Sequence, residues 1–153
     1  MALPVPVVKV CKTSPEIASD MVLPRYETLG AAGMDIRAFL EKPVIIKPLE
    51  RVRIPTALAL EIPEGYEAQV RPRSGLAYQR GVTVLNAPGT IDSDYRGEVC
   101  VILVNLGQEP VTINNGDRIA QLVFAPVTRV TLEETCRLSK TRRGECGFGS
   151  TGW

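Results

Sequence analysis

The 153-residue chain contains no histidine. That removes Ser-His-Asp and Cys-His nucleophilic catalysis and every imidazole-based metal site. Chemistry is left to carboxylates, arginines, hydroxyls, backbone amides and oxygen-liganded ions. The four cysteines, Cys11, Cys100, Cys136 and Cys146, are scattered without a Cys-x-x-Cys pair, so neither a zinc site nor a redox dithiol is supported. No stretch reaches the ~20 apolar residues of a membrane span. Residues 1–10 hold two prolines and no long apolar run, so no signal peptide is expected. A formal net charge of +1 gives no general field for polyanions, and stable nucleic-acid binding is not expected. The expected compartment is a reducing cytoplasm, with the nucleus as a second one in a eukaryote.

What is present is 44% hydrophobic and 23% charged residues, enough for one soluble domain with a real core. The pattern is β throughout. Strands are expected over residues 5–10, 44–48, 52–62, 66–71, 81–85, 98–105 and 118–124, with a last one over 128–136, whose composition also permits a helix. Pro63-Glu64-Gly65 reads as a turn, and Asn114-Asn115-Gly116-Asp117 reads as a hairpin turn. One short helix is expected over residues 74–80, started by Ser74 and stopped by Gly81. Many short strands with frequent turn signals indicate a sandwich, jelly roll or barrel. After about Leu138 the β pattern stops, which divides the chain into a β domain, residues 1–138, and a glycine-rich tail, residues 139–153, belonging to the same domain.

Five segments carry chemistry. The tail, Arg143-Gly144-Glu145-Cys146-Gly147-Phe148-Gly149-Ser150-Thr151-Gly152, is too glycine-rich for a helix or strand. Arg143, Ser150, Thr151 and the free amides suit phosphate, and Phe148 suits an aromatic ring, so the segment reads as a lid over a nucleotide or as a frayed end. Residues 86–97, Asn86-Ala87-Pro88-Gly89-Thr90-Ile91-Asp92-Ser93-Asp94-Tyr95-Arg96-Gly97, are long for a plain turn. Asp92 can orient and deprotonate a water, Tyr95 offers a flat face, and Asn86 with backbone amides can read a base edge; the alternative is a decorated β-arch with solvated acids. In Arg71-Pro72-Arg73-Ser74-Gly75-Leu76-Ala77, Arg73, the Ser74 hydroxyl and the amides at the helix start make either an anion site or an ordinary cap. Asp35, among small residues, either holds a hydrated divalent ion or is satisfied by turn amides. Asp117 caps a turn or pairs with an arginine, and Gln121 either points into a site or is only structural.

Together, in this order on a small β chain, these segments resemble the trimeric dUTPase family. Its five motifs correspond to Ala32-Gly33-Met34-Asp35-Ile36-Arg37-Ala38, then residues 71–77, then 86–97, then Gly116-Asp117-Arg118-Ile119-Ala120-Gln121-Leu122, then 143–152. The resemblance implies an all-β, jelly-roll-like barrel with one short helix and a mobile C-terminal tail. It also implies hydrolysis of dUTP to dUMP and pyrophosphate by water attack on the α-phosphorus, which keeps uracil out of DNA and supplies dUMP for dTMP synthesis.

By that resemblance Asp92 is the general base. Asn86, Gly89, Thr90, Ile91 and the main chain near Cys100 form a uracil pocket, and Tyr95 packs under the deoxyribose and excludes a 2′-hydroxyl. Arg73, Ser74 and Gly75 hold the phosphates, with Gln121 near the α-phosphate. Asp35 binds, through water, a Mg²⁺ ion chelated by the triphosphate. Arg143, Gly149, Ser150 and Thr151 close over the γ-phosphate while Phe148 stacks on uracil, the tail being disordered when the site is empty. A homotrimer with sites shared between subunits is implied. Cys146 stands where the family commonly has glycine, and Arg142 adds a second charge beside Arg143. The rival activities are a dCTP deaminase-related enzyme and a regulatory nucleotide-binding protein of the same fold.

Overall fold

The computed structural model describes residues 5–14 and 21–147. Ten strands and one helix follow in the order β1 (Lys9–Lys12), β2 (Met34–Arg37), β3 (Val44–Ile46), β4 (Arg51–Glu61), β5 (Tyr66–Arg71), α1 (Ser74–Arg80), β6 (Val82–Val84), β7 (Gly89–Ile91), β8 (Glu98–Asn105), β9 (Val111–Ile113) and β10 (Arg118–Pro126). They form three antiparallel sheets, ordered β1-β4-β8-β6, β2-β10-β5-β7 and β3-β9. This is the expected all-β, jelly-roll-like barrel with one short helix.

Alternation explains the layering. In β8, Val99, Val101 and Leu103 point inward and are at most 3% exposed, while Glu98, Cys100 and Ile102 on the other face are half-buried. Ile36 from β2, Ile54 from β4, Ala68 from β5, Val82 from β6, Ile113 from β9 and Leu122 from β10 join them in one core that draws on all three sheets. Burying each large aliphatic side chain contributes about 1.5–3 kcal/mol, so this core is what closes the barrel.

Helix α1 spans the expected residues, Ser74–Arg80, with Arg73 as its capping residue. Arg73 is extended at φ −92° and ψ 128° and makes no side-chain cap, while Ser74 is already helical. Gly81 ends the helix as expected: its φ of 69° is left-handed, and its N–H donates to the Ala77 carbonyl at 3.0 Å.

Four sequence expectations are corrected. Residues 5–8 are not strand; β1 starts at Lys9 and runs to Lys12. Residues 128–136 form neither strand nor helix, and Val130 and Leu132 are 75% and 91% exposed, with no strand among the described residues paired to them. Asn114-Asn115-Gly116-Asp117 is a turn, but not a hairpin: β9 pairs with β3, whereas β10 pairs with β2 and β5. The turn is fastened instead to the β2 exit, with Gly116 N–H donating to Ala38 O at 2.8 Å and Ala38 N–H to Asp117 O at 2.9 Å, which sends the chain into a different sheet. Asp117 caps it by accepting from Asn114 N–H at 2.7 Å. The arch at residues 86–97, expected as a long connection between strands, contains a short strand of its own, β7.

Candidate active site

The arch at residues 86–97 is long because it crosses between sheets. Strands β6 and β8 belong to the first sheet, while β7 leaves to pair with β5 in the second, Gly89 opposite Val70 and Ile91 opposite Ala68. The Ala87–Pro88 peptide at the turn is cis. The return is braced by Arg96, whose Nη1 donates to the carbonyls of Ser93 at 2.7 Å and Tyr95 at 3.1 Å.

A cleft of about 410 Å³ opens where the arch separates the sheets. Of the residues expected there, Asn86, Gly89, Thr90, Ile91, Asp92, Tyr95 and Cys100 all line it. Gly89 keeps the wall thin: a Cβ on it would press on Val70 Cβ at 3.2 Å and on Asn86 Nδ2 at 3.3 Å. Asp92 lines the cleft at its rim and is exposed. Tyr95 folds back over Gly97, where any side chain would collide with its ring, and its hydroxyl donates to the Glu98 carbonyl at 3.1 Å. Cys100 faces the cleft from β8. Burial pushes its thiol pKa up, the Glu98 carboxylate adds to that, and the Arg53 guanidinium opposes it.

A second group forms at the β2–β10–β5 ladder. Gln121 on β10 lies opposite Asp35 on one side and Arg71 on the other. Its Nε2 donates to the Pro72 carbonyl at 3.1 Å, and Gly33 leaves the space its amide occupies. Arg73 donates from Nε to Asp35 Oδ1 at 2.9 Å and from Nη1 to the Arg118 carbonyl at 3.3 Å; Arg118 Nη1 is 3.4 Å from Asp35 Oδ2. Asp35 is therefore satisfied by two arginines rather than by turn amides. Ser74 and Gly75 follow on α1, both exposed.

No side-chain hydrogen bond or ion pair among the described residues joins the arch group to the Asp35–Arg73–Gln121 group. Arg143 lies in neither: it is exposed, and its Nε donates to the Cys146 carbonyl at 2.9 Å in a turn where Gly144 has φ 54°. Phe148, Gly149, Ser150 and Thr151 lie outside the described residues. Sequence reasoning missed Arg53 and Glu98 in the cleft and Arg118 beside Asp35. Glu98 alternates with Cys100 and Ile102 on the outward face of β8, a signal that was available; Arg53 is placed only by the pairing of β4 with β8.

This arrangement has counterparts. The family model for dUTPase matches residues 19–152. The chain belongs to the dUTPase family. The deoxyuridine 5'-triphosphate nucleotidohydrolase of Aquifex aeolicus is 67% identical over 135 residues, covering 88% of this chain and 90% of that protein. The dUTPase of Staphylococcus bacteriophage 80alpha, solved with dUPNHPP, superposes with a TM-score of 0.85 at 27% identity, covering 96% of this chain and 99% of the other. A mutant dUTPase of phage phi11 of S. aureus, solved for the coordination of a structural Mg(II) ion, superposes with a TM-score of 0.74 at 25% identity over 86% of this chain and 97% of the other. The dUTPase fold thus extends over nearly the whole chain, and both groups of polar residues lie within it. Among the described residues, no helix is long and apolar enough to cross a membrane.

Proposed function

We propose that the chain is a dUTP diphosphatase that hydrolyses dUTP to dUMP and pyrophosphate in the cytoplasm, keeping uracil out of DNA and supplying dUMP for dTMP synthesis. The observation that carries this is the cleft at the arch, which gathers Asn86, Gly89, Thr90, Ile91, Asp92, Tyr95 and Cys100 around a space of about 410 Å³. It is walled by β7, an edge strand with one free backbone edge, and carries Asp92 at its rim and Glu98 in its lining.

Backbone groups of Gly89, Thr90 and Ile91, with Asn86, hold the uracil edge. They present the wrong partner to cytosine's amino group, and a site built on hydrogen bonds rejects such a mismatch strongly. Tyr95 supports the deoxyribose and leaves no room for a 2′-hydroxyl. The Asp92 carboxylate orients the attacking water and accepts its proton at a carboxylate oxygen as the water oxygen bonds to the α-phosphorus. Pyrophosphate leaves from the opposite side. Arg73, Ser74 and Gly75 neutralise and align the phosphates, with Gln121 near the α-phosphate.

The carboxylate of Asp35, 24% exposed, is a hard anionic acceptor that fits Mg²⁺ arriving as the triphosphate chelate with its waters. When bound, the ion offsets triphosphate charge. The two arginines on Asp35 then gain phosphate oxygens as alternative acceptors.

The two polar groups complete each other if copies associate. A homotrimer, in which the arch of one copy faces the Asp35–Arg73–Gln121 group of the next, accounts for their separation within one chain. The β domain, residues 1–138, then carries both half-sites, and residues 139–153 act as a lid on a neighbour's site through Arg143, Phe148, Gly149, Ser150 and Thr151. Hydrolysis of dUTP in ¹⁸O-water tests the reaction: label in dUMP supports attack at the α-phosphorus, and label in pyrophosphate alone contradicts it.

A further inference from the structure

Strand β4 carries an irregularity against β8. Its Pro55 lies opposite Cys100 and its Ala59 opposite Glu98, so four steps on β4 span two on β8. At the bulge Ala57 is 1% exposed and has φ 54°, a left-handed conformation that favours glycine. Every polar contact of this bulge runs to neighbouring chain segments. Ala57 N–H donates to Glu98 Oε1 at 2.7 Å, and the Thr56 hydroxyl, wholly buried, donates to the Val99 carbonyl at 2.6 Å. Ala57 O accepts from Thr13 N–H at 2.9 Å.

Glu98 is the residue where bulge and cleft meet. Its carboxylate fills the bulge's open N–H, its carbonyl accepts the Tyr95 hydroxyl at 3.1 Å, and it lines the cleft beside Cys100 and Arg53. The side chain fixes β8 to β4, and the main chain fixes the ring of Tyr95. We propose that Glu98 is a positioning residue for substrate selection: it locks the Tyr95 side of the cleft to the β4 bulge and so sets how closely the ring abuts the sugar. This rests on the reading of the cleft as the deoxyuridine pocket.

Removing the carboxylate leaves a buried N–H without its acceptor. The bulge then has to rearrange, and the first atoms to move with it are the Glu98 main chain and the Tyr95 ring. The cost falls on discrimination at the sugar, because a looser ring admits a 2′-hydroxyl.

The experiment compares kcat/KM for dUTP and for UTP, with the thermal midpoint, in the full chain and in Glu98→Ala, Glu98→Gln and Tyr95→Phe. The parent prefers dUTP. In Glu98→Ala the dUTP-to-UTP ratio falls by about tenfold or more, as expected when a polar positioning contact is lost. Glu98→Gln keeps an oxygen acceptor for Ala57 N–H and holds the ratio within about threefold of the parent. Tyr95→Phe, which cuts the tether without touching the bulge, narrows the ratio in the same direction. Should Glu98→Ala not accumulate as folded protein, Glu98→Asp, which retracts the carboxylate by one methylene, takes its place. A lowered midpoint with the parent's ratio in both the Glu98 and the Tyr95 variants overturns the proposal, leaving Glu98 only a structural part. A parent that does not distinguish dUTP from UTP overturns the pocket reading itself.

Discussion

Arg73, at the entrance of α1, reaches Asp35 on β2 with its Nε 2.9 Å from Oδ1, although 38 residues separate the two. The pair holds the β5–α1 junction against the β2–β10 ladder. The side chains are 27% and 24% exposed, so the interaction is only partly screened. The same two residues are those proposed to receive the phosphates and the hydrated ion, and the Asp35 carboxylate holds the Arg73 guanidinium in line. Asp35→Asn keeps an oxygen acceptor but removes the charge. We expect a loss of about 1 kcal/mol of stability and a higher Mg²⁺ concentration for half-maximal rate. Thermal melts and a Mg²⁺ titration check this; an unchanged melt with an unchanged Mg²⁺ dependence contradicts it.

Asp92 stands at the cleft rim, and its side chain accepts no hydrogen bond among the described residues. Its substitution therefore costs the fold little, within about 0.5 kcal/mol. Asp92→Asn should lower kcat on the order of 10²–10⁴-fold, the usual loss for a general base. Calorimetry with a non-hydrolysable dUTP analogue should show affinity close to the parent's. Undiminished turnover removes Asp92 from the chemistry.

Cys100 differs from the other cysteines. Cys11, Cys136 and Cys146 are exposed, whereas Cys100 is half-buried in the cleft with its thiol pKa raised. A raised pKa means less thiolate at neutral pH, and the thiolate is the nucleophile. Alkylation of Cys100 by iodoacetamide should thus be the slowest of the four, should accelerate as pH rises toward the raised value, and should slow further with a dUTP analogue in the cleft. Peptide mass spectrometry over time reads all three. Cys100 reacting first, or without any ligand effect, contradicts this placement.

The strands that bury one full face were legible in the sequence. Residues 66–71 alternate cleanly and form β5, and the apolar run at 98–105 forms β8. Two three-residue strands were not legible, β7 (Gly-Thr-Ile) and β9 (Val-Thr-Ile), whereas β3 and β6, equally short, fell within the expected 44–48 and 81–85. The error at residues 128–136 is of the opposite kind. Val130 and Leu132 alternate as a strand requires, but a strand also needs a partner, and none of the described residues pairs with them. The cleft residues were legible because one continuous arch carries most of them. The Asp35–Arg73–Gln121 group arises from pairing between β2, β10 and the end of β5, so its composition followed only from the family resemblance, and Arg118 escaped notice.

Beyond Val127, whose N–H donates to the Gly65 carbonyl at 2.8 Å, the hydrogen bonds of the described tail residues stay within the tail, as between Cys146 N–H and Arg143 O. Deleting residues 143–153 should therefore leave the thermal midpoint within about 2 °C of the parent. Turnover should fall by roughly 10²-fold if, as proposed, the tail orients the triphosphate. A truncated protein with parental kinetics excludes the lid.

The most direct test of the central claim is a steady-state comparison of dUTP, dCTP, dTTP and UTP with Mg²⁺, with products separated and identified. The account predicts that dUTP alone is turned over efficiently, to dUMP and pyrophosphate. Deamination of dCTP, or comparable cleavage of UTP or dTTP, would contradict it.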